Sequence, residues 1–582
     1  MKSKLVTSFV LALSALSGCG APSRPGGTSA TGGDTGSTGT GGSQAPAGGG
    51  GNAGAGGTVG QGGSPDTSPT GTGGGPASGG AGGGNTGTSA KGGSGGPGGS
   101  GSGGIAVTSN GGGPGGAPAG SGGGTGTSAK GGAAGATPGG GSPGTGGGTA
   151  STGGTTTITT GTNPTGPCDI YQTAGTPCAA AHSTVRALYS AYSGPLYQVQ
   201  RSDKTTKDIP IGKDGFADSA VQDSFCSGSS CTIPVIYDQS PNGNHLRVTW
   251  FAYWMQNGAK AASATEAKIS VAGHTVYGIR VGGSVKDVGY RTGVQLSGTA
   301  SITKGSATVT FSTPQTLPAN TPLLFAANAK DCVPDSWPNN CNFKAYYTTA
   351  DINAATTVTL KTSYTGTSST STAVWNHFAK GLATGDEAEA MYSVFDAKTY
   401  SQWCCFDYGN AELDGIDDGN ATMECLYFGA DTQFGQSGGG NGPWVAADIE
   451  NGMYEGYENG SAKVASNTSI TGMSYVTGML KGLSAGDCPA GLTSSGCFAL
   501  KAGNANSGKL EWKWNATTKN YGARPPQYSP QKKQGAVILG TGGDGSNTGN
   551  GIWFEGAITK GAPPDATDDA VQANIVALSY GK

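Results

Sequence analysis

Residues 443–452 read Pro-Trp-Val-Ala-Ala-Asp-Ile-Glu-Asn-Gly, which alternates in the manner of a β-strand. One predicted face is apolar and consists of Val445, Ala447 and Ile449. The opposite face joins an indole to two carboxylates and consists of Trp444, Ala446, Asp448 and Glu450. Carboxylates two residues apart on a strand lie roughly 7 Å from each other, and each raises the pKa of the other where water is excluded. The pattern therefore predicts either a catalytic or sugar-binding face or an ordinary solvated sheet edge.

Residues 167–582 contain many short strand-like runs of the same kind. Short runs rich in Val, Ile, Thr, Tyr and Trp alternate with Gly, Asn, Asp and Pro, and strands are predicted at Thr232–Tyr237, Gly535–Leu539 and Gly551–Glu555. Helical periodicity is limited to Ala179–Tyr192 and Ala570–Ser579. The sequence predicts an all-β domain, a sandwich of two antiparallel sheets. Alternating Thr and Val between Gly turns at about 298–381 predicts a small inserted β module.

The first 19 residues have the features of an export signal. Lys2 and Lys4 precede the apolar run Leu5–Leu16, which is too short to span a membrane as a mature helix. Leu16-Ser17-Gly18-Cys19 resembles a bacterial lipobox, in which the cysteine is lipidated. The alternative is a plain cleaved secretory signal. The chain is expected at the cell surface or outer membrane as a lipoprotein, or secreted if Cys19 is not lipidated.

Residues 20–166 consist almost entirely of Gly, Ser, Thr, Ala and Pro. Such a segment buries too little apolar surface to offset the entropy of ordering, so we predict a disordered linker. A flexible coil of this length has an end-to-end distance of roughly 60–70 Å. The expected role is a tether for the domain that follows.

The net charge and the number of histidines argue against several classes of partner and reaction. The formal net charge is −3, without basic blocks, so neither nucleic acid nor an anionic membrane surface is an implied partner. Only four histidines occur, and none has metal-ligand spacing, which makes zinc chemistry and Ser-His-Asp catalysis weak hypotheses. We expect no metal and no cofactor.

Twelve cysteines suit an exported chain. Setting Cys19 aside, spacing suggests four local disulfides: Cys168–Cys178, Cys226–Cys231, Cys332–Cys341 and Cys488–Cys497. Cys404 and Cys405 are adjacent, with α-carbons about 3.8 Å apart, below the roughly 4.4–6.8 Å usual for a disulfide. Spacing alone predicts that both are free thiols or bonded elsewhere, and Cys425 is left over.

Longer motifs occur in the order of a known family. They are Pro167–Tyr171, Cys178–Thr184, Tyr237–Ser240, Asn242–Leu246, Thr384–Glu389, Cys404–Glu412, Gly442–Trp444, Asp448–Asn451, Gly522–Pro525, Ile538–Gly540 and Gly542–Asp544. Together they resemble the catalytic domain of arabinofuranosidase B, the α-L-arabinofuranosidase of glycoside hydrolase family 54. The resemblance covers 167–582 apart from 298–381. It does not include the arabinose-binding β-trefoil that the family usually carries.

The resemblance implies a retaining exo-glycosidase on a concanavalin A-like jelly roll. Glu450 falls on the nucleophile of the family and Asp544 on its general acid/base. Retaining enzymes need two such carboxyls about 5–5.5 Å apart. Family contacts to the sugar fall on Asp448, Asn451, the backbone of Gly543, and a strained disulfide between Cys404 and Cys405.

The expected function is release of terminal arabinofuranose from arabinan, arabinoxylan or arabino-oligosaccharides by a monomeric enzyme. Trp444 would stack on a sugar, although a tryptophan buried in the core is the commoner case. The alternative is a lectin-like surface protein that binds sugar through Asp448, Asn451 and Trp444 without cutting it. Because a binder needs only hydrogen-bonding partners, the presence of both Glu450 and Asp544 favours the enzyme.

Overall fold

The computed structural model describes residues 163–248, 259–331, 344–432, 437–492, 496–546 and 549–582. The predicted signal with Cys19, the linker up to residue 162 and the Cys332–Cys341 pair lie outside these ranges. Within them the helices are α1 (Pro167–Thr173), α2 (Ser219–Cys226) and α3 (Asp565–Val576). None of the described helices is long and apolar enough to cross a bilayer.

The strands of the described residues, in chain order, are β1 (Cys178–Ser183), β2 (Tyr197–Arg201), β3 (Thr206–Ile209), β4 (Cys231–Ile236), β5 (Leu246–Val248), β6 (Ala262–Ser263), β7 (Lys268–Val271), β8 (His274–Tyr277), β9 (Ile279–Val281), β10 (Tyr290–Thr292), β11 (Val294–Gln295), β12 (Ala300–Ile302), β13 (Thr308–Leu317), β14 (Pro322–Phe325), β15 (Tyr346–Tyr347), β16 (Ile352–Thr359), β17 (Ser369–Thr372), β18 (Val374–Asn376), β19 (Glu389–Asp396), β20 (Asp407–Ala411), β21 (Glu424–Gly429), β22 (Ser437–Gly439), β23 (Trp444–Asp448), β24 (Met453–Tyr454), β25 (Lys463–Thr468), β26 (Tyr475–Leu483), β27 (Cys497–Asn504), β28 (Ser507–Trp512), β29 (Gly522–Ala523), β30 (Ala536–Leu539) and β31 (Gly551–Lys560).

Two large sheets form the predicted sandwich. An eight-stranded sheet has the order β1-β31-β19-β26-β27-β28, with β9 beside β31 and β29 beside β27. An eleven-stranded sheet has the order β24-β23-β21-β20-β30-β10-β5-β4-β2-β3, with β6 beside β4. Neighbouring strands in both sheets pair antiparallel, for example β19 with β26 and β20 with β21. The all-β fold class predicted from the sequence is confirmed.

The core lies between these sheets. Phe395 of β19 stacks on Phe428 of β21 with ring centroids 5.4 Å apart, and Tyr408 of β20 meets Trp553 of β31 at 5.5 Å. Each pair joins one sheet to the other. Burying such large rings is the main favourable term in a sandwich of this size.

Residues 294–376 build a smaller β unit with its own core. Two four-stranded sheets have the orders β11-β18-β14-β15 and β16-β13-β12-β17. Tyr364 lies between the rings of Phe325 and Tyr346, with centroids 5.3 and 5.1 Å away. The β character predicted for 298–381 therefore matches the described part of this segment.

Local predictions had mixed outcomes. Strands β4, β30 and β31 overlap the predicted Thr232–Tyr237, Gly535–Leu539 and Gly551–Glu555, and α3 overlaps the C-terminal helix prediction. The helix predicted at Ala179–Tyr192 is wrong. Its first residues belong to β1, which pairs with β31 and is buried on both faces, so the run of alanines reflects tight packing between layers. Disulfides join Cys168–Cys178, Cys226–Cys231 and Cys488–Cys497, as spacing suggested.

A buried ion pair ties β31 to the segment after β1. The guanidinium of Arg186 donates to both carboxylate oxygens of Glu555, at 2.8 and 2.7 Å, and both side chains are buried. Removing one partner leaves an uncompensated buried charge. We expect Arg186→Met to lower the free energy of unfolding by about 3–5 kcal/mol in urea denaturation.

The matched control is Lys260, whose ion pair with Asp287 at 3.1 Å is about half exposed. Lys260→Ala is expected to cost less than about 1 kcal/mol. Equal losses for the two variants would contradict the role assigned to the Arg186–Glu555 pair.

Candidate active site

The stretch at residues 443–452 forms strand β23 and the turn after it. All five residues of β23 are buried, which rules out the solvated-edge interpretation. The strand ends at Asp448, so the prediction that Glu450 lies on the strand is wrong. Glu450 and Asn451 have φ angles of +62° and +57°, which place them in a left-handed turn. Such backbone is costly for residues other than glycine, and it concentrates at functional sites.

Hydrogen bonds hold this turn from three sides. The Glu450 amide donates to Oδ1 of Asp448 at 3.3 Å, and the Asn451 side-chain amide donates to Oδ1 of Asp417 at 2.8 Å. The Tyr528 hydroxyl donates to the Asn451 carbonyl at 2.6 Å. Glu450 is therefore aimed by a fixed turn rather than by strand pleating.

The glycine loop after β30 supplies the second predicted carboxyl. Asp544 is buried, and its Oδ1 accepts from the amide of Ser546 at 2.8 Å. A Cβ added at Gly542 would lie 3.2 Å from that oxygen. A Cβ added at Gly543 would lie only 1.8 Å from Oε2 of Glu412. The loop therefore needs glycine at position 543, because a carboxylate of the neighbouring segment occupies the space.

Arg291 joins the segments that contribute these carboxyls. Its guanidinium, buried on β10, donates from Nη1 to the carbonyl of Glu412 and from Nη2 to the carbonyl of Gly543. Glu412 follows β20 directly, and its Oε1 accepts from the Thr422 hydroxyl at 2.5 Å. One cation thus fixes the loop after β20 relative to the loop after β30.

The cluster is electrostatically crowded. Burial raises the pKa of Glu450 well above its ordinary value, and the charges of Glu412 and Asp544 raise it further. Burial also raises the pKa of Asp448, with added effects from Cys404 and Glu412, and raises that of Glu412 to about 8. Like charges in a dry site cannot all ionise. The cluster therefore retains protons near neutral pH, and such a site can offer an ionised and a protonated carboxyl together.

Two adjacent cysteines lie against the same cluster. Sγ of Cys405 and the carboxylates of Asp407 and Asp448 have oxygen and sulfur atoms within 4.8 Å of one another, and Sγ of Cys405 is 3.0 Å from the Ser546 hydroxyl. The Cys404–Cys405 disulfide that the family resemblance implies stays a prediction.

The predicted site residues separate into two groups. Asp448, Glu450, Asp544 and Gly543 come together as described, with Cys405 beside them. Trp444 does not join them: it starts β23, about 13 Å along the strand from Asp448. Its indole is buried and donates to the carbonyl of Gly439 at 3.0 Å. This burial favours a packing role for Trp444, the commoner case, over stacking on a sugar.

Sequence reasoning gave no role to several residues of the site. Glu412 and Asp407 lie inside the motif Cys404–Glu412, so both could have been predicted as site residues from the acidic side chains in that motif. Arg291 and Asp417 gave no such signal, because only the fold brings Arg291 to Glu412 and Gly543, and Asp417 to Asn451.

The described part of the chain is a β-sandwich that buries several carboxyl groups between a left-handed turn and a glycine loop, and clustered carboxyls of this kind are what glycoside hydrolases require. Residues 167–314 and 329–581 match the family model described as "Alpha-L-arabinofuranosidase B, catalytic". The chain belongs to that family.

Individual members of this family are similar to the chain in sequence. The chain is 38% identical over 423 residues to "Alpha-L-arabinofuranosidase B" of Aspergillus oryzae, covering 71% of this chain and 62% of the relative. It is 38% identical over 422 residues to "Arabinofuranosidase/B-xylosidase" of Trichoderma koningii, covering 71% and 63%. The chain thus spans a little over three fifths of the length of these relatives.

Solved structures agree as well. A crystal structure of arabinofuranosidase complexed with arabinofuranosyl-α-1,2-xylobiose matches with a TM-score of 0.51 and 34% identity, over 72% of this chain and 66% of that one. A GH54 α-L-arabinofuranosidase soaked with a cyclic sulfate inhibitor matches with the same values.

The family match also bears on the predicted insertion. The matched residues include 298–314 and 329–381, and only 315–328 lie outside them. The expectation that the whole of 298–381 departs from the family pattern is therefore wrong. The segment differs from its surroundings in having a separate hydrophobic core.

The contact between Gly543 and Glu412 yields a test. Gly543→Ala places a methyl group where Oε2 of Glu412 and, 2.9 Å away, Sδ of Met423 now lie. Overpacking of this kind costs about 1–3 kcal/mol, so we expect that loss in urea unfolding. Gly486→Ala is the control, since nothing lies within 4 Å of an added Cβ there. If both variants unfold alike, the close approach to Glu412 is not a constraint.

Proposed function

We propose that the protein is a retaining, exo-acting α-L-arabinofuranosidase with Glu450 as nucleophile and Asp544 as general acid/base. The main support is the burial of Glu450 in a left-handed turn within the electrostatic influence of Asp544. Membership of the arabinofuranosidase B catalytic family supports the same roles. No metal or cofactor enters the proposed reaction.

The reaction is a double displacement. The Glu450 carboxylate attacks the anomeric carbon, while Asp544 gives a proton to the glycosidic oxygen as that bond breaks. The product is an ester between Glu450 and arabinofuranose, with the rest of the substrate released as an alcohol. Asp544, now ionised, takes a proton from water, whose oxygen attacks the anomeric carbon and releases Glu450 as carboxylate.

Neighbouring groups would orient the sugar. Asp448, beside the nucleophile and hydrogen-bonded to its backbone, is suited to accept from sugar hydroxyls. The backbone of Gly543 would contact the sugar, and Cys404 with Cys405 would form part of the wall. The Asn451 side chain already bonds to Asp417, so we assign it to shaping the turn as well as to sugar contact.

The proposed substrates are arabinan, arabinoxylan and arabino-oligosaccharides, from which a monomeric enzyme removes terminal arabinofuranose. The complex of a structural neighbour with arabinofuranosyl-α-1,2-xylobiose favours arabinose carried on xylose. We further propose that the N-terminal signal exports the chain and that a lipid on Cys19 anchors it. The linker 20–166 would then let the domain reach polymer beyond the membrane surface.

The roles of the two carboxyls can be tested with 4-nitrophenyl α-L-arabinofuranoside. Glu450→Gln is expected to abolish turnover, with a loss of at least about 10⁴-fold in kcat, because no ester forms. Asp544→Asn should lower kcat by about 10²–10⁴-fold, the usual contribution of a general acid/base. External azide is expected to restore part of the Asp544→Asn activity, since it attacks the ester without needing a base.

Three outcomes would count against the proposal. A parent protein that binds arabinose without hydrolysing the glycoside would favour the lectin-like alternative. Parent-like turnover by either variant would remove that residue from its role. An inverted product in NMR would exclude the double displacement.

The pH profile provides a separate test of Glu412. Glu450 attacks as a carboxylate, and the charge of Glu412 is the largest cause, after burial, that raises its pKa. Glu412→Gln removes that charge, so the pKa of Glu450 falls and Glu450 ionises at lower pH. We expect the acidic limb of kcat/KM to move to lower pH.

Glu511→Gln, a neutralisation at a largely exposed carboxylate outside the cluster, is the control and should leave the limb in place. If the acidic limb of kcat/KM for Glu412→Gln stays in place or moves to higher pH, the charge of Glu412 does not raise the pKa of Glu450.

A further inference from the structure

A second cavity lies on the other sheet of the sandwich, away from the carboxyl cluster. It has a volume of about 550 Å³ and is lined by strands β27 and β28, the segment after β28, and the first residues of α3. The strands that lead into the carboxyl cluster, β20, β23 and β30, belong to the eleven-stranded sheet. The volume falls within the roughly 300–1,000 Å³ of small-molecule sites.

Trp512 is the aromatic residue of this cavity. It is half-buried at the end of the edge strand β28, and the ammonium of Lys501 lies 4.6 Å from the centre of its ring. The ring of Tyr521 meets Trp512 edge-on at 6.3 Å. The indole is thus held between two neighbours while part of it remains open to the cavity.

An ion network fixes Lys501 in turn, and all its members except the half-exposed Asp565 are buried. The Nζ of Lys501 lies 2.6 Å from Asp565 and 2.6 Å from Asp568, and Lys481 contacts the same two carboxylates at 3.2 and 2.8 Å. Lys481 also lies 5.7 Å from the ring centre of Tyr521. Two lysine–aromatic pairs therefore share one pair of carboxylates. This arrangement immobilises Trp512 before any ligand arrives, which reduces the entropy cost of binding.

The charge of the lining indicates the ligand. Three lysines and three carboxylates border the cavity: Lys501, Lys509, Lys519, Glu511, Asp565 and Asp569. Their charges cancel, so neither a polyanion nor a polycation is favoured. Exposed amines and carboxylates provide hydrogen-bond donors and acceptors around an apolar ring. A neutral, hydroxyl-rich ring that stacks on an indole meets these requirements, and a sugar residue has that chemistry.

We propose that this cavity is a second carbohydrate-binding site, in which Trp512 is the stacking platform for a neutral polysaccharide chain. The site binds without cleaving, because it contains none of the carboxyl pairs assigned to the reaction. It would hold polymer against the domain while the carboxyl cluster on the other sheet acts independently.

The test uses the full chain carrying Glu450→Gln, in native gels that contain soluble arabinoxylan, linear arabinan or polygalacturonate. We expect retardation by at least one neutral polymer, with the apparent Kd raised about ten-fold by Trp512→Ala. Trp512→Phe should restore part of the retardation. Tyr347→Ala, at an exposed ring in another part of the chain, is the control and should leave it unchanged.

A second variant avoids the ion network. Ala516 is exposed and lines the cavity, so Ala516→Arg should block the site and weaken retardation without altering Lys501. When Glu450 is left unchanged, neither variant should alter hydrolysis of 4-nitrophenyl α-L-arabinofuranoside. This substrate is too small to reach from the carboxyl cluster to the cavity. That assay separates failure of this site from failure of the proposed activity.

The proposal is overturned if Trp512→Ala and Ala516→Arg are retarded as strongly as the parent. It is also overturned if no neutral polymer retards the parent, or if only polygalacturonate does so and salt removes the effect. Folding is checked by thermal unfolding. If Trp512→Ala does not fold, the retardation of Ala516→Arg alone tests the proposed binding site.

Discussion

The bridge made by Arg291 is the interaction on which the site depends. One buried guanidinium bonds to the carbonyls of Glu412 and Gly543, and these belong to the loops after β20 and β30. Burial lowers the pKa of Arg291, while the charges of Glu412, Asp414 and Asp544 oppose that effect. The cation and the carboxyl cluster therefore stabilise each other. Without a cation at this point, two acidic loops brought together in a dry sandwich would repel each other.

Geometry around this bridge explains the unusual backbone nearby. The loop after β30 can approach Glu412 only because residue 543 has no side chain. The turn after β23 can reach the same point only by adopting positive φ at Glu450 and Asn451. Neither feature favours folding by itself. The turn persists because the Asn451 side chain donates to Asp417, the Tyr528 hydroxyl donates to the Asn451 carbonyl, and β23 is buried.

The sequence determined the class of fold more reliably than the geometry of the site. Alternating runs such as Thr232–Tyr237 predicted strands because side-chain period is a local property. Ala179–Tyr192 failed for the opposite reason: small residues are compatible with a helix, and only the layers on both sides of β1 select the strand. The alternation at β23 was right up to Asp448. It failed at Glu450, where tertiary hydrogen bonds rather than period set the direction of the side chain.

Hydrogen-bond partners that are far apart in the sequence could not be predicted from local residue patterns. Arg291 lies 121 residues before Glu412 and 252 before Gly543, so no spacing in the sequence connects them. The β unit at 294–376 shows the same limit. Its residue Ala345 donates to the carboxylate of Asp414 at 3.0 Å, and His377, just after its last strand, lies 2.8 Å from the carbonyl of Leu413.

These two contacts hold the start of the loop after β20, and the same loop carries Asp417, the partner of Asn451. The β unit is therefore mechanically continuous with the turn that aims Glu450, even though its core is separate. The hydrogen bonds from Ala345 to Asp414, between His377 and Leu413, and from Asn451 to Asp417 all involve this one loop. A segment that sequence texture marks as an addition is thus, in structural terms, one of the supports of the site.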